Sequence, residues 1–494
     1  MTNLYAMLRA GFESRLDAVF LRMPEGRVVT YADIDDMSAR IATVLIDSGA
    51  EPGDRVVVQV PKSATAVALY LASLRIGAVY VPLNEAYTAD EVAYFLADAA
   101  PSVVVVAPGR HLPPSCDAAV LRLDEGGGGT LADRTARAAP TDGLVDRGAE
   151  PIAMLYTSGT TGKPKGAMLT TENLASNARA LSDIWGFTND DVLVHALPIF
   201  HVHGLFIALH CALLSGCEVR FLPRFDVGAV RAALHGATTM MGVPTFYSRL
   251  LADPGFSSGE CASMRLFISG SAPLTASVHH AFTERTGHRI LERYGMTETG
   301  MITSNPLHGE RIAGTVGYPL PDVRVRVADD AGAPLADGDV GVVEVIGPNV
   351  FAGYWGMPDK TAASFRDDGW FITGDLGSLS ADGRLTLSGR GTDLIISGGL
   401  NVYPKEIEMV LDEIAGIAES AVIGVLHPDL GDAVVAVVVA DPSFDVAAVA
   451  AALDGKLARF KHPKHVAVVS ELPRNAMGKV EKAALRREYG ALFS

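Results

Sequence analysis

Residues 54–82 constrain the fold more than any other stretch of the chain, because apolar runs alternate there with a helical pattern. Residues 54–60 are typical of a buried strand, residues 64–74 of a helix, and residues 77–82 of a second strand. A strand, a helix and a strand at this spacing indicate a parallel α/β unit. Residues 103–107 form another apolar run, and the alternation continues to about residue 320. The sequence therefore predicts an α/β fold built on parallel sheets.

The pattern changes near residue 323, where short β-rich pieces with Gly and Asp turns begin. Such pieces predict a β-barrel-like subdomain. After residue 391 the chain has its own strands and helices, and about a hundred residues suffice for an independent small domain. At 494 residues the chain is too long for one core. We predict a large N-terminal domain, residues 1–391, of parallel α/β subdomains plus the barrel-like piece, and a small mobile α+β domain, residues 392–494.

Composition excludes several classes of function. The net charge of −16 argues against a nucleic-acid partner and against an anionic membrane surface. Four cysteines form neither a CxxC pair nor a disulfide-like array, which favours reduced thiols. The first residues lack a basic segment followed by an apolar one, and the longest apolar run, residues 433–440, is too short to span a bilayer. We therefore expect a soluble, cytoplasmic protein.

Residues 157–166 read TSGTTGKPKG and follow the apolar run 152–155. Glycines leave backbone amides open to close approach, hydroxyls can donate to phosphate oxygens, and lysines neutralise charge. The order of a Walker A loop is absent, and no helical pattern starts directly after the string. The segment predicts a polyphosphate-binding loop; the alternative is a polar hairpin turn.

This string resembles the phosphate loop of the adenylate-forming enzymes, which include acyl- and aryl-CoA synthetases, luciferases and the adenylation domains of peptide synthetases. Further motifs resemble that family in its order and spacing: GSAP at 270–273, YGMTE at 294–298, TGD at 373–375, GR at 389–390 and PRNAMGK at 473–479. Together they cover nearly the whole chain. The resemblance implies that a carboxylate attacks the α-phosphorus of MgATP to give an acyl adenylate, and that the thiol of coenzyme A then displaces AMP.

The resemblance also implies roles for residues around the nucleotide. Glu298 is the expected Mg²⁺ ligand, helped by the hydroxyl of Thr160 or Thr161, because hard oxygen ligands suit that ion. Tyr294 is expected to stack on adenine, Asp375 to accept the ribose hydroxyls, and Arg390 to add a donor there. The residues assigned to ATP by the resemblance are Thr157, Ser158, Gly159, Thr160, Thr161, Gly162, Lys165, Gly270, Ser271, Ala272, Pro273, Tyr294, Gly295, Met296, Thr297, Asp375 and Arg390.

The catalytic residues implied by the resemblance are Lys479, His201 and Glu298. Lys479 is expected to reach the bridge between the substrate carboxylate and the α-phosphate, which also makes it a candidate target for a lysine acetyltransferase. The small domain is expected to rotate near Thr392, where the family usually carries Asp or Lys.

For coenzyme A, Gly398 and Gly399 are expected to line the pantetheine tunnel. Lys461, with His462 and Lys464, is expected to meet the phosphates. A solvated charged face explains that basic run equally well.

Two arginines point to the acid. Arg293 precedes Tyr294 and Arg249 ends the segment VPTFYSR, and both segments are expected to face the acyl group. Fatty and aromatic acids favour apolar walls, whereas two guanidiniums can hold a second carboxylate. The surrounding segments resemble those of malonyl-CoA synthetases, with His201 beside the reacting carboxylate and His203 near the distal one. The alternatives are buried, satisfied imidazoles and structural salt bridges.

We therefore expect ligation of malonate, and possibly of methylmalonate, to coenzyme A. Three other functions stay open at this point. The first is a CoA ligase for a monocarboxylic aliphatic or aryl acid, with structural arginines. The second is a stand-alone adenylation protein that loads a carrier protein, and the third is a non-catalytic sensor of AMP or CoA.

Overall fold

The computed structural model describes residues 3–157, 164–397, 400–441, 444–454, 456–475 and 478–493. The strands, numbered along the chain, are β1 (Val19–Arg22), β2 (Val28–Thr30), β3 (Arg55–Gln59), β4 (Val79–Pro82), β5 (Val103–Val106), β6 (Ala119–Arg122), β7 (Pro151–Thr157), β8 (Lys165–Thr170), β9 (Val192–His195), β10 (Glu218–Phe221), β11 (Thr239–Gly242), β12 (Leu266–Ser269), β13 (Leu291–Met296), β14 (Gly300–Ser304), β15 (Tyr318–Pro319), β16 (Arg324–Ala328), β17 (Gly341–Ile346), β18 (Gly353–Tyr354), β19 (Phe371–Leu379), β20 (Leu385–Arg390), β21 (Ile395–Ser397), β22 (Leu400–Val402), β23 (Ile417–His427), β24 (Gly431–Ala440) and β25 (His465–Val469).

Helices cover or connect these strands. The α-helices are α1 (Leu4–Ala10), α2 (Tyr31–Asp47), α3 (Ala64–Ile76), α4 (Ala89–Ala99), α5 (Thr130–Thr135), α6 (Thr171–Ile184), α7 (His210–Ser215), α8 (Val227–Leu234), α9 (Pro244–Ala252), α10 (Ala276–Thr286), α11 (Pro358–Ala362), α12 (Pro404–Leu411), α13 (Ala447–Leu453) and α14 (Lys482–Tyr489). A π-helical segment covers His203–Leu209, directly before α7.

The first sheet has seven strands in the order β18-β8-β7-β4-β3-β5-β6. The apolar runs of β3, β4 and β5 pair in parallel, as the sequence predicts. Helix α3 connects β3 to β4; the Ser63 side chain accepts from the Ala66 amide at its start, and Gly77 ends it with a φ of 67°. A glycine adopts that left-handed conformation without the strain that a β-carbon causes.

The second sheet has nine strands in the order β15-β14-β13-β12-β11-β9-β10-β1-β2, and its centre from β13 to β1 is parallel. Parallel strands end at a common edge, and ligands of open α/β sheets bind outside that carboxyl edge. Strands β9, β12 and β13 end there at His195, Ser269 and Met296. The predicted acyl and adenine segments therefore meet at one edge.

Strands β16, β17, β19 and β20 form a four-stranded antiparallel sheet. The region is β-rich, as expected. Among the described residues its strands pair in the order β16-β17-β19-β20, and this sheet does not close into a barrel. The β19–β20 pair matters for the site, because its register places Asp375 opposite Arg390.

The remaining sheet contains β21 to β25, with apolar clusters on both faces that α12, α13 and α14 help to cover. A 3₁₀ turn, Gly391–Asp393, links β20 to this smaller domain. The division at residues 391 and 392 falls in that turn and stays a prediction. Within the described residues, the longest apolar helices fall short of what crossing a membrane requires.

Candidate active site

Three predicted nucleotide residues come together at the β19–β20 pair. Arg390 Nε lies 3.1 Å from Asp375 Oδ1, and the Tyr294 hydroxyl donates to Asp375 Oδ2 at 2.5 Å. Asp375 is only 6 % exposed, so its charge depends on these two donors. A carboxylate fixed in this way is the kind of acceptor that vicinal ribose hydroxyls need.

We expect Asp375→Asn to raise the KM for ATP about ten- to a hundredfold, because hydrogen bonds to a charged group contribute about 1.5–3 kcal/mol. The exposed Asp382 is a matched control, since its side chain is 58 % exposed, and Asp382→Asn should leave that KM unchanged. Initial rates of pyrophosphate release over a range of ATP concentrations measure both variants. An unchanged KM in Asp375→Asn would remove this carboxylate from the nucleotide site.

The predicted phosphate loop connects two antiparallel strands. Thr157 ends β7 and stands opposite Lys165, which begins β8. The loop thus closes a hairpin and is followed by a strand, in agreement with the absence of a Walker A pattern. Ser158, Gly159, Thr160, Thr161 and Gly162 lie outside the described residues, so their assignment to phosphate stays a prediction.

Glu298 lies beside the base of this loop and is buried. Its Oε1 accepts from the Thr157 hydroxyl at 3.3 Å and from the Tyr354 hydroxyl at 3.0 Å. Lys165 Nζ lies 4.3 Å from the centre of the Tyr354 ring. Burial and the neighbouring Lys360 lower the pKa of Lys165, while Glu298 opposes that shift. Sequence reasoning missed Tyr354 and Lys360, because neither belongs to a string that resembles a family motif.

This donor set fits Mg²⁺. No cluster of three or more His, Cys, Asp or Glu side chains suited to a metal occurs in the described part of the chain. Mg²⁺ needs no such cage, since it usually takes one or two carboxylates and completes its shell with phosphate oxygens and water. Glu298 would supply the carboxylate, and the ion would screen charge on the phosphates. Thr160, the other predicted ligand, lies outside the described residues.

Gly270 allows an unusually close contact beside the cleft. A β-carbon on Gly270 would lie 2.3 Å from Arg293 Cζ, so the guanidinium lies directly against the glycine backbone. Ser271, the next residue, has a φ of 69°. Backbone strain of this kind in a non-glycine residue clusters at functional sites. The predicted cleft residues that are partly exposed here are Ser271, Ala272, Gly295, Met296 and Thr297.

Arg293 is a buried cation with unpaired donors. It is 4 % exposed, and among the described residues its Nε and Nη2 atoms have no hydrogen-bond acceptor. Burial lowers the pKa of this guanidinium to about 9. An uncompensated buried charge is costly, and it persists where function requires it. At neutral pH the group stays charged and forms a ready site for an anion.

Two neutral imidazoles lie near Arg293. The His203 amide donates to His201 Nδ1 at 3.3 Å, and His203 Nδ1 lies 3.3 Å from the Ser271 hydroxyl. His203 Nε2 is buried and has no hydrogen-bond partner within the part of the chain that the structure describes. Burial and the Arg293 charge lower the pKa of His201 to about 4 and that of His203 well below its usual value. Uncharged imidazoles beside one guanidinium leave the local charge positive, which favours an anionic ligand.

Arg249 does not join this group, and the prediction of paired guanidiniums is wrong for it. Helix α9 buries Tyr247 and Leu250, while Arg249 is exposed on the other side. The Tyr247 hydroxyl donates to the Ile268 carbonyl at 2.6 Å and fixes that orientation. Sequence reasoning missed Tyr247, whose phenol interacts electrostatically with Arg293. The pattern that could have identified Tyr247 is the apolar period of α9, because residues three apart, such as Tyr247 and Leu250, share a helix face.

Lys479 approaches the same cleft from the smaller domain. Its amide donates to Asn475 Oδ1 at 3.0 Å, and Gly478 adopts a φ of 72°. A β-carbon on Gly478 would lie 3.0 Å from Thr245 Oγ1, so the turn contacts the start of α9. Burial and Arg390 lower the pKa of Lys479, and Asp375 opposes this. The amine is therefore within electrostatic reach of the predicted ribose site.

The predicted coenzyme A residues are less defined. Gly398 and Gly399 lie outside the described residues. Lys461 Nζ forms an ion pair with Glu406, so its charge is already compensated within the smaller domain. Thr392 lies in the 3₁₀ turn between the domains, and its role as a pivot stays a prediction.

Comparison with known proteins shows which family has this sequence and fold. Residues 9–355 match the AMP-binding enzyme family, and residues 406–479 match the AMP-binding enzyme C-terminal domain. The chain belongs to the AMP-binding enzyme family. Like other members that ligate acids to coenzyme A, it is an AMP-forming acid–thiol ligase that uses ATP, Mg²⁺ and coenzyme A and proceeds through an acyl adenylate.

Relatives within the family differ in the acid that their names give. The chain is 37 % identical over 472 residues to a feruloyl-CoA synthase of Amycolatopsis sp, covering 94 % of this chain and 95 % of the relative. It is 38 % identical over 373 residues to a malonate–CoA ligase of Arabidopsis thaliana, covering 68 % and 60 %. ATP-bound MatB from Rhodopseudomonas palustris is 49 % identical, with a TM-score of 0.97 over 100 % of this chain and 99 % of that one.

Proposed function

We propose that this chain ligates malonate to coenzyme A. The observation that carries the proposal is Arg293, a buried guanidinium with unpaired Nε and Nη2 atoms beside an acyl-side histidine. A dicarboxylate supplies the missing negative charge, whereas a monocarboxylate that is activated at its only carboxyl group leaves the cation uncompensated. The malonate–CoA ligase relative supports the same acid.

The proposed roles rest on the unpaired donors and on the charges of the site. Arg293 holds the far carboxylate, and His203 Nε2 is a further donor, because the Ser271 hydroxyl donates to His203 Nδ1 and thereby leaves the ring proton on Nε2. The near carboxylate oxygen attacks the α-phosphorus of ATP, and pyrophosphate leaves. Lys479 stabilises the charge that gathers between the two, since positioning and cationic screening account for most catalysis of such transfers. The sulfur of coenzyme A then attacks the acyl carbon, and AMP leaves.

Methylmalonate is proposed as a second substrate. One additional methyl group changes binding in a nearly fitting pocket by only about 1–3 kcal/mol. Both acids share the two carboxylates on one carbon, so the same guanidinium serves both.

The rival functions predict other outcomes. The feruloyl-CoA synthase relative favours an aryl monocarboxylate as the alternative acid. An adenylation protein for a carrier would form the adenylate but transfer it to a phosphopantetheinyl protein and not to free coenzyme A. A sensor of AMP or CoA would show no carboxylate-dependent chemistry.

Pyrophosphate release with a panel of acids tests the proposal. The informative pair is malonate and monomethyl malonate, because the ester removes the far charge and adds one methyl group. Methylmalonate, which adds a methyl group and keeps the charge, is the control for size. We expect kcat/KM to fall about a hundredfold or more for the ester, as expected when a buried charge loses its partner. Methylmalonate should remain a substrate.

Ferulate, indoleacetate and butyrate complete the panel, and sulfoacetate tests whether any far anion suffices. A kcat/KM for a monocarboxylate equal to that for malonate would contradict the proposal. Product analysis with free coenzyme A and with a phosphopantetheinylated carrier protein, supplied separately, identifies the acceptor.

A further inference from the structure

The amine of Lys62 occupies a position that the nucleotide and acyl chemistry leave unexplained. Lys62 lies between β3 and α3 of the seven-stranded sheet and reaches across to the nine-stranded one. Its Nζ donates to the backbone carbonyls of Leu222 at 2.6 Å, His195 at 2.9 Å and Leu197 at 2.9 Å. The same atom lies 4.3 Å from the centre of the Phe221 ring. One amine thus ties together the carboxyl ends of β9 and β10.

The His195 side chain extends this contact. Lys62 Nζ lies 2.7 Å from His195 Nδ1, and His195 Nε2 lies 2.9 Å from the Gly204 carbonyl. A carbonyl oxygen only accepts, so Nε2 carries the proton and Nδ1 accepts from the amine. Burial and the Lys62 charge both lower the pKa of His195, which keeps the ring neutral in this tautomer. The imidazole therefore forms a fixed bridge between Lys62 and Gly204.

Gly204 is the second residue of the π-helical segment that carries His203. A β-carbon at Gly204 would lie 2.0 Å from the Pro198 carbonyl oxygen. The Gly204 backbone therefore packs directly against Pro198, in addition to its contact with His195. His203, the neighbouring residue, presents its free Nε2 and contacts Ser271 through Nδ1. π-Helical turns within helices occur often at functional sites, where they set the direction of a side chain.

We infer that Lys62 is a positioning residue for the acyl site, acting through His195 and Gly204 to fix where His203 meets the acid. The amine serves this purpose because it offers three protons to four acceptors on two segments, which are His195 and Leu197 at the end of β9 and Leu222 after β10. Methionine has a stem of similar length and lacks the donors, so Lys62→Met removes the contacts with little change in volume.

The expected result is a selective defect. Lys62→Met should raise the KM for the acid about ten- to a hundredfold, since small displacements in a reactive site cost that much, and leave the KM for ATP within about twofold. The control is Lys456→Met, a lysine whose side chain is 54 % exposed, which should change neither constant. The inference rests on the proposed function only for the identity of the acid. The assays therefore use whichever acid the wild-type enzyme turns over fastest, so failure of malonate leaves this test intact.

A double-mutant cycle distinguishes positioning from general stabilisation. If Lys62 acts through His195, then Lys62→Met and His195→Phe are non-additive, and the double variant resembles the worse single variant. If Lys62→Met does not fold, Lys62→Gln, which keeps an amide group with two N–H donors, replaces it throughout and should show a smaller defect of the same selectivity. Additive effects, or equal rises in the KM for ATP and for the acid, would overturn the inference.

Discussion

Lys479→Ala is expected to lower the rate of adenylate formation by at least about 10²–10³-fold while sparing the second half-reaction. The amine lies within electrostatic reach of Asp375 and Arg390, next to the predicted ribose position. Its proposed role is to supply positive charge where the carboxylate and the α-phosphate meet. Removing it leaves that negative charge unscreened. Thioester formation from a supplied acyl adenylate starts after phosphoryl chemistry and should stay within about threefold of the wild-type rate.

Two assays separate the half-reactions. Carboxylate-dependent exchange of pyrophosphate into ATP reports the first, and thioester formation from synthetic acyl adenylate and coenzyme A reports the second. Lys456→Ala is the matched control on the same domain, because that lysine is exposed and pairs with Glu413 at the surface. Equal loss of both half-reactions in Lys479→Ala would contradict the assigned role and point to a folding defect instead.

The turn that presents Lys479 explains why this lysine has a defined position. The Asn475 side chain accepts from the Lys479 amide, and the Asn475 amide donates to the Lys479 carbonyl at 3.0 Å. Arg474 donates to the Gly478 carbonyl and forms an ion pair with Glu419 of β23. A long side chain on an unsupported loop would lose much rotamer entropy on ordering. Here these contacts hold the backbone of Asn475, Gly478 and Lys479, which lowers the entropic cost of positioning the amine.

The sequence pattern predicted the parts of this fold that depend on residues close together along the chain. The apolar runs of β3, β4 and β5 are buried on both faces, and their spacing around α3 predicted parallel pairing. The proximity of Asp375 and Arg390 was predictable because both lie in short strings with family-like spacing, and the antiparallel register brings them together. Their assignment to the ribose stays a prediction. Such features need no knowledge of distant partners.

Features that depend on distant contacts were not predictable. The partners of Lys62 lie 133 to 160 residues away along the chain, and no local pattern marks a lysine for burial. The prediction for Arg249 failed for a different reason, because the whole segment that ends at this residue was expected to face the acyl pocket. A helical period beginning at Pro244 places Tyr247 and Leu250 inward and leaves Arg249 outward, so the face of α9 decided its role.

Arg293→Met is expected to abolish recognition of the diacid and to stabilise the protein at the same time. Loss of a buried charge partner should raise the KM for malonate by the equivalent of about 2–5 kcal/mol, with the KM for ATP nearly unchanged. Because Arg293 has unpaired Nε and Nη2 atoms in the absence of an acid, an apolar side chain of similar length removes a desolvation cost. The free energy of unfolding should then increase by about 1–2 kcal/mol.

Arg249→Met is the matched control, since Arg249 is exposed and should affect neither property. Thermal midpoints measured at one scan rate, with and without malonate, read out both effects. Malonate should raise the midpoint of the wild-type protein and of Arg249→Met, but not that of Arg293→Met, because only a ligand that binds the folded state shifts it. A variant that loses malonate turnover together with stability would indicate a structural arginine. A variant that keeps malonate turnover would mean that the far carboxylate is held elsewhere. Gain of stability with loss of one substrate is the combination that a structural role does not produce, because functional sites retain unfavourable groups that stability alone would remove.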